Sequence, residues 1–138
     1  MKKLLFLGLV LASGAIVRAQ CKQKIILTSS KTEYLDSSKK VQRVVDEKTI
    51  VEISPTDVVI MPGNEKMSGP ITSKTCAWTK PFKEGKSVIK ADLKSINDEK
   101  KVTITIEGKN GKVTLLAEVD DRPDKKIFLI SETFAEKK

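Results

Sequence analysis

The stretch KVTITIEGKNGKVTLLAEV, residues 101–119, decides the fold. Its apolar residues alternate with polar ones on both sides of Asn110-Gly111. That dipeptide is the strongest short signal for a two-residue type I′ hairpin turn, because both of its positions tolerate positive φ. A turn centred there sets Ile106 opposite Leu115, Ile104 opposite Ala117 and Val102 opposite Val119. Upstream, a turn centred on Asn97-Asp98 sets Ile106 opposite Ile89, Ile104 opposite Ala91 and Val102 opposite Leu93. Two independent turns thus place Val102, Ile104 and Ile106 on one apolar face, and a one-residue slip in either would send that face to water.

Working outward, short alternating runs separated by turn residues recur along the chain, and helical spacing is absent beyond the first residues. Strands are predicted near 24–34, 40–46, 49–54, 58–61, 70–78, 86–93, 101–107, 112–119 and 126–133. The fold class is all-β, a single-domain antiparallel meander of about eight or nine strands. Such a meander closes into a barrel or folds over as a sandwich, and the barrel is the expected form at this length. The register of the last strand stays open: either Ile127 and Leu129 or Phe128 and Ile130 face the core. Both faces of that strand are apolar, as is Leu116 on the outer face beside it. Something is therefore expected to cover the outside there: the terminal segment with Phe134, the N-terminus, or a second copy through self-association.

The chain begins MKKLLFLGLVLASGAIVRAQC. Two lysines, an apolar run and small residues before a cut ahead of Gln20 make residues 1–19 a secretory signal peptide. The run is shorter than the roughly 20 residues a membrane-spanning helix needs, so no transmembrane segment is expected. Residues 20–138 then form one exported domain, periplasmic or extracellular. Lipid anchoring at Cys21 is disfavoured because Arg18 and Gln20 stand where a lipoprotein signal has aliphatic and small residues. Export to an oxidising compartment with two cysteines leaves one natural pairing, Cys21 with Cys76.

Setting aside Lys2, Lys3 and Arg18 leaves 23 basic against 18 acidic residues, a net charge of +5. That mild basicity suits small acids or anionic surfaces. Nucleic acid is not an expected partner: the only arginines outside the signal peptide are Arg43 and Arg122, and aromatic residues make up 4% of the chain, a poor supply of bidentate contacts and stacking platforms. A signal peptide followed by a meander of about eight strands resembles the small secreted bacterial lipocalin-like proteins. The resemblance implies a β-barrel around a small apolar or amphiphilic ligand. The Gly-x-Trp motif usual near the first strand of lipocalins is absent, with Trp78 standing mid-chain, so no residue role is carried over.

The chain has no histidine, which removes the commonest general base and metal ligand and every Ser-His or Cys-His pair. Asp120-Asp121 sits beside Pro123 in a turn, where aspartate bonds its own backbone. Ser37-Ser38-Lys39-Lys40 has S-x-x-K spacing, but its companion motifs are missing and it falls between strands. Neither Asn97-Asp98-Glu99 nor the acidic turn at 120–124 has the spacing of a calcium loop. The chain is accordingly read as a non-enzyme without cofactor or metal.

Three residues are candidates for contact with a ligand or partner: Arg43, Trp78 and Phe82. Arg43 alternates with Val41 and Val45. If those point inward, its guanidinium can clamp a ligand carboxylate inside a barrel. If a hairpin instead turns at Glu47-Lys48, Arg43 falls opposite Glu52 in an ordinary cross-strand pair. In PITSKTCAWT the alternation puts Thr72, Lys74, Cys76 and Trp78 on one face, so Trp78 either packs over the cysteine or seals a barrel end. The segment 80–86 reads as a loop in which Phe82 caps the barrel or meets a partner. The function expected is the binding of a small hydrophobic or amphiphilic, possibly anionic, ligand. The alternative is an interaction module without a cavity.

Overall fold

The computed structural model describes residues 22–137, which form nine antiparallel strands. These are β1 (Ile25–Leu35), β2 (Val41–Ile53), β3 (Asp57–Pro62), β4 (Met67–Lys80), β5 (Glu84–Lys94), β6 (Glu99–Lys109), β7 (Lys112–Val119), β8 (Arg122–Ile130) and β9 (Thr133–Glu136). Each strand from β1 to β8 bonds to the next, and β8 returns to β1, so eight strands close into a barrel with β9 as an addition. Closure leaves no long free edge around most of the sheet, which is how an antiparallel meander avoids edge-to-edge association. The expected signal peptide, and Cys21 of the expected disulfide, lie outside the described residues.

The hairpin read from Asn110-Gly111 forms in the expected register, with Ile106 opposite Leu115, Ile104 opposite Ala117 and Val102 opposite Val119. Asn110 and Gly111 both take positive φ, 53° and 82°, as a type I′ turn requires. The neighbouring hairpin is shifted from expectation: Ile104 faces Ile89 and Val102 faces Ala91. Its turn is centred one residue earlier, closed by the Ser95 amide donating to the Asp98 carbonyl at 2.8 Å, and Ile96 is left 97% exposed at the tip. Moving the turn centre by one residue moves the pairing by two, which preserves the inward face. Val102, Ile104 and Ile106 are all buried.

Two further differences cancel in the strand count. The expected strands 40–46 and 49–54 are one continuous β2, because Glu47 and Lys48 are held within the sheet: the Glu47 carboxylate accepts from the Tyr34 hydroxyl at 3.2 Å, and the Lys48 carbonyl accepts from the Gly63 amide at 3.0 Å. The expected last strand instead breaks at Ser131-Glu132. There the chain hands its hydrogen bonds from one neighbour to another, Ser131 donating to Val113 of β7 and Glu132 to Thr28 of β1. In consequence β8 pairs with the upper half of β1, and β9 pairs with its lower half along Ile25–Thr28. Of the two registers left open for the last strand, Leu129 is buried and Ile127 packs on the core, while Ile130 faces out.

The β1–β2 pairing has a bulge between Ser29 and Lys31, at the level where β1 changes partner on its other edge. Glu47 and Lys48 of β2 stand there against the single Ser30 of β1; Lys31 is exposed and Thr32 buried, and the Ser29 hydroxyl donates to the Lys31 carbonyl at 2.9 Å across the bulge. A second irregularity, between Ile71 and Ser73 of β4, alters the expected inward face there. Lys74, Cys76 and Trp78 share it, but Thr72 is exposed and Ile71 packs on the core in its place.

Candidate functional site

The two ends of the barrel are built differently. At the end carrying the β4–β5 turn, Trp78 is 1% exposed and its indole N–H donates to the Ser87 hydroxyl at 2.7 Å. Its ring fits because glycines face it across β5 and β6. A Cβ on Gly108 would lie 2.9 Å from Trp78 Cζ3 and 2.6 Å from the Lys83 carbonyl oxygen. Phe134 of β9 packs on Trp78 with ring centroids 5.7 Å apart, and Phe82 meets Phe134 edge-on at 5.0 Å. Phe82 follows Pro81 and takes φ 63°, the left-handed position of a turn that the Lys83 amide closes onto the Lys80 carbonyl at 3.0 Å. A side chain there is strained by about 1–2 kcal/mol, and the aromatic contact offsets that cost. Trp78, Phe82 and Phe134 together shut this end.

The other half of the barrel is hollow. A cavity of about 440 Å³ lies between Ile60, Met67 and Leu93 on one side and Val102, Leu115 and Leu129 on the other. Ala117, Val119 and Ile127 complete the apolar wall. Four cations (Arg43, Lys100, Lys125 and Lys126) and two carboxylates (Glu65 and Asp124) also line it. Lys100 is 3.3 Å from Asp98, and Lys126 is 2.6 Å from Glu118. Arg43 and Lys125 form no ion pair among the described residues.

Because β2 is unbroken, Arg43 stands opposite Tyr34 and not Glu52, which corrects the cross-strand alternative. Its guanidinium carbon lies 4.4 Å from the centre of the Tyr34 ring, a cation–π contact that orients the group. Burial raises the pKa of the Tyr34 phenol, and the adjacent Glu47 carboxylate raises it further, with Arg43 opposing. Tyr34 is therefore a neutral donor to Glu47 at any physiological pH. Glu52 instead binds Lys137 at the end of β9, which lowers its carboxylate pKa and fastens the terminal strand to β2.

Of the three residues singled out by sequence, the structure brings Arg43 to the cavity and places Trp78 and Phe82 together at the shut end. No signal in the sequence placed Thr32 or Thr49 in the cavity wall, since β1 alternation alone would have put Lys31 inward. Lys74 is half-buried on the inward face of β4, and burial lowers its pKa. Among the described residues no three acidic, cysteine or histidine side chains group so as to hold a metal ion, and no helix is long and apolar enough to cross a membrane. Cys76 is not a free thiol.

A second hollow lies on the outside of the barrel, where Leu116 of β7 faces Phe128 of β8 between Leu35, Val41 and the aliphatic stem of Lys86. Phe134 turns away from this strip to the shut end, and Val41, Val44 and Ile130 stay about half exposed on the outer surface. Compared with known proteins, the chain matches no family model, and no curated protein matches it significantly.

Proposed function

We propose that this protein is a non-enzymatic, exported barrel that binds a small amphiphile with an anionic head. The observation that carries the reading is the 440 Å³ apolar cavity, inside the range of about 300–1,000 Å³ usual for small-molecule sites. At roughly 30 Å³ per water-sized group, it takes about 15 non-hydrogen atoms, the size of a medium-chain fatty acid. The apolar wall takes the chain. Arg43 and Lys125, without carboxylate partners, take the head by charge-assisted hydrogen bonds. The resemblance to secreted lipocalin-like barrels is consistent with the same use, and the signal peptide would deliver the protein outside the cytoplasm.

Isothermal titration of the mature protein with dodecanoate tests the reading. Saturable one-to-one binding is expected, weaker for the uncharged dodecanol. Absence of binding by acids and alcohols of every chain length overturns it. Calorimetry is the suitable readout because Trp78, at the shut end, is not in the cavity wall.

A second reading, self-association, is favoured by the outer strip around Leu116 and Phe128. Its border mixes Lys39 and Lys86 with Glu33, Glu107 and Glu118, a self-complementary set for a second copy. Sedimentation decides it: a monomer at all concentrations ends this reading.

A further inference from the structure

Two buried hydroxyls stand among the apolar residues of the cavity wall. Thr32 of β1 and Thr49 of β2 both line it, are 0% and 1% exposed, and hold their hydroxyl oxygens 3.0 Å apart. Two hydroxyls in contact share one hydrogen bond, which uses one of their two protons. Neither threonine side chain has another hydrogen-bond partner among the described residues. The second proton thus lacks an acceptor from the protein, and a buried donor left in that state is costly. Ser29, just across the bulge, shows the contrast: its hydroxyl donates to the Lys31 carbonyl.

We propose that the Thr32–Thr49 pair is a second ligand subsite, which takes a neutral oxygen acceptor (hydroxyl, ether or carbonyl) carried on the chain of the amphiphile. The inference rests on the reading of the cavity as an amphiphile site and adds a requirement for a second polar group on the ligand. The acceptor is neutral because no cation bonds to either threonine, and a carboxylate buried there would be uncompensated. Either hydroxyl can be the donor within the pair, so the subsite both gives a proton to an incoming oxygen and accepts one from an incoming hydroxyl. Thr32 is two residues, about 7 Å, along β1 from Tyr34, which faces Arg43, so the preferred ligand class is a medium-chain acid oxygenated partway along its chain, head at Arg43 and oxygen at the threonines.

The test compares dodecanoic acid with 6-hydroxydodecanoic acid by calorimetry, on the wild-type protein and on the isosteric double variant Thr32→Val/Thr49→Val. In the wild type the hydroxy acid is expected to bind at least as tightly as its parent, even though a hydroxyl entering a purely apolar pocket would weaken binding. In the double variant the preference is expected to swing about tenfold toward the parent acid. A preference that is the same within twofold in both proteins overturns the subsite while leaving the cavity reading intact, and this includes the case of a resident water occupying the pair. Failure of both acids to bind the wild type overturns the cavity reading and the subsite with it. Should the double variant not fold, Thr49→Val alone reads the same ratio.

Discussion

Ala117 offers a direct way to shorten the cavity without disturbing the barrel. It sits on β7 between Ile104 and Ile127, and its methyl group lines the hollow. Replacing it by leucine adds three non-hydrogen atoms, which at about 30 Å³ each fill roughly 90 Å³, a fifth of the 440 Å³ present. The ligand then loses burial of about three methylenes at ~0.8 kcal/mol each. The sum, about 2.4 kcal/mol, corresponds to a roughly 50-fold rise in Kd. Because the added atoms enter empty space, the overpacking cost of about 1–3 kcal/mol seen in filled cores should not arise. Stability is expected to hold or to rise by up to about 2 kcal/mol. The preferred acid should also become shorter, by about three carbons. Calorimetry over a series of straight-chain acids reads the affinity and the optimum, and urea denaturation reads the stability. A folded Ala117→Leu protein with the wild-type chain-length profile would refute the placement of the ligand. A loss of more than about 1 kcal/mol of stability would show that the space is not free.

At the shut end, Gly108→Ala drives a methyl to 2.6 Å from the Lys83 carbonyl, a backbone atom that cannot swing aside; a loss of about 1–3 kcal/mol in urea is expected, with dodecanoate affinity unchanged. Pairing of Cys21 with Cys76 closes a 55-residue loop, so Cys76→Ser, or wild type under reductant, should lose up to about 4 kcal/mol; equal stability with and without reductant would end that pairing. Tyr34 is the only tyrosine, so tyrosinate absorbance reports it alone: its midpoint should lie above the ordinary value of about 10, rise further in Arg43→Leu, and fall in Glu47→Gln. The Glu52–Lys137 pair lowers the folded-state pKa of Glu52 below its ordinary 4.5. Its contribution, at most about 1 kcal/mol for a partly exposed pair, is therefore complete above that pH and lost as pH falls through the depressed value. Lys137→Met should remove this slope from the acid-stability curve.

Local chemistry made the C-terminal half of the barrel legible, because Asn110-Gly111 dictates its own turn type and the alternation on either side dictates the face. The Asn97-Asp98 turn conveyed the face but not the pairing, since a shift of two residues leaves every side chain on its original side. An exposed Ile96 at the tip costs little, and the Ser95–Asp98 bond suffices to set the turn. Glu47-Lys48 resembled a hairpin turn because two adjacent charges usually stand in solvent; only the Tyr34 hydroxyl and the Gly63 amide, both remote in sequence, keep them within a strand. Arg43 was legible as one of two alternatives, and the choice between them depended on that same missing turn. The shut end was legible in part: Trp78 shares a face with Cys76, but its enclosure depends on Gly85, Gly108 and Phe134, which no local pattern connects.

The bulge at Ser29–Lys31 links the closure of the barrel to the chemistry of its cavity. A regular β1 would carry the alternation Ile25, Leu27, Ser29, Lys31 straight inward and place an ammonium group against the apolar wall of Leu115 and Leu129. With the register shift, in which Glu47 and Lys48 of β2 stand against Ser30 alone, Lys31 is exposed and Thr32 takes the inward position, its hydroxyl 3.0 Å from that of Thr49. At the same level β1 changes partner on its other edge, so that β8 lies along the hollow half and β9 runs down to bring Phe134 onto Trp78. The register shift thus falls where the packed half meets the hollow one, and it leaves a neutral hydroxyl at that boundary in place of a charge. A cavity with a cationic floor would select acids by their heads alone. A cavity with Arg43 beside its opening and a hydroxyl pair in its wall can measure the distance between two polar groups on one ligand.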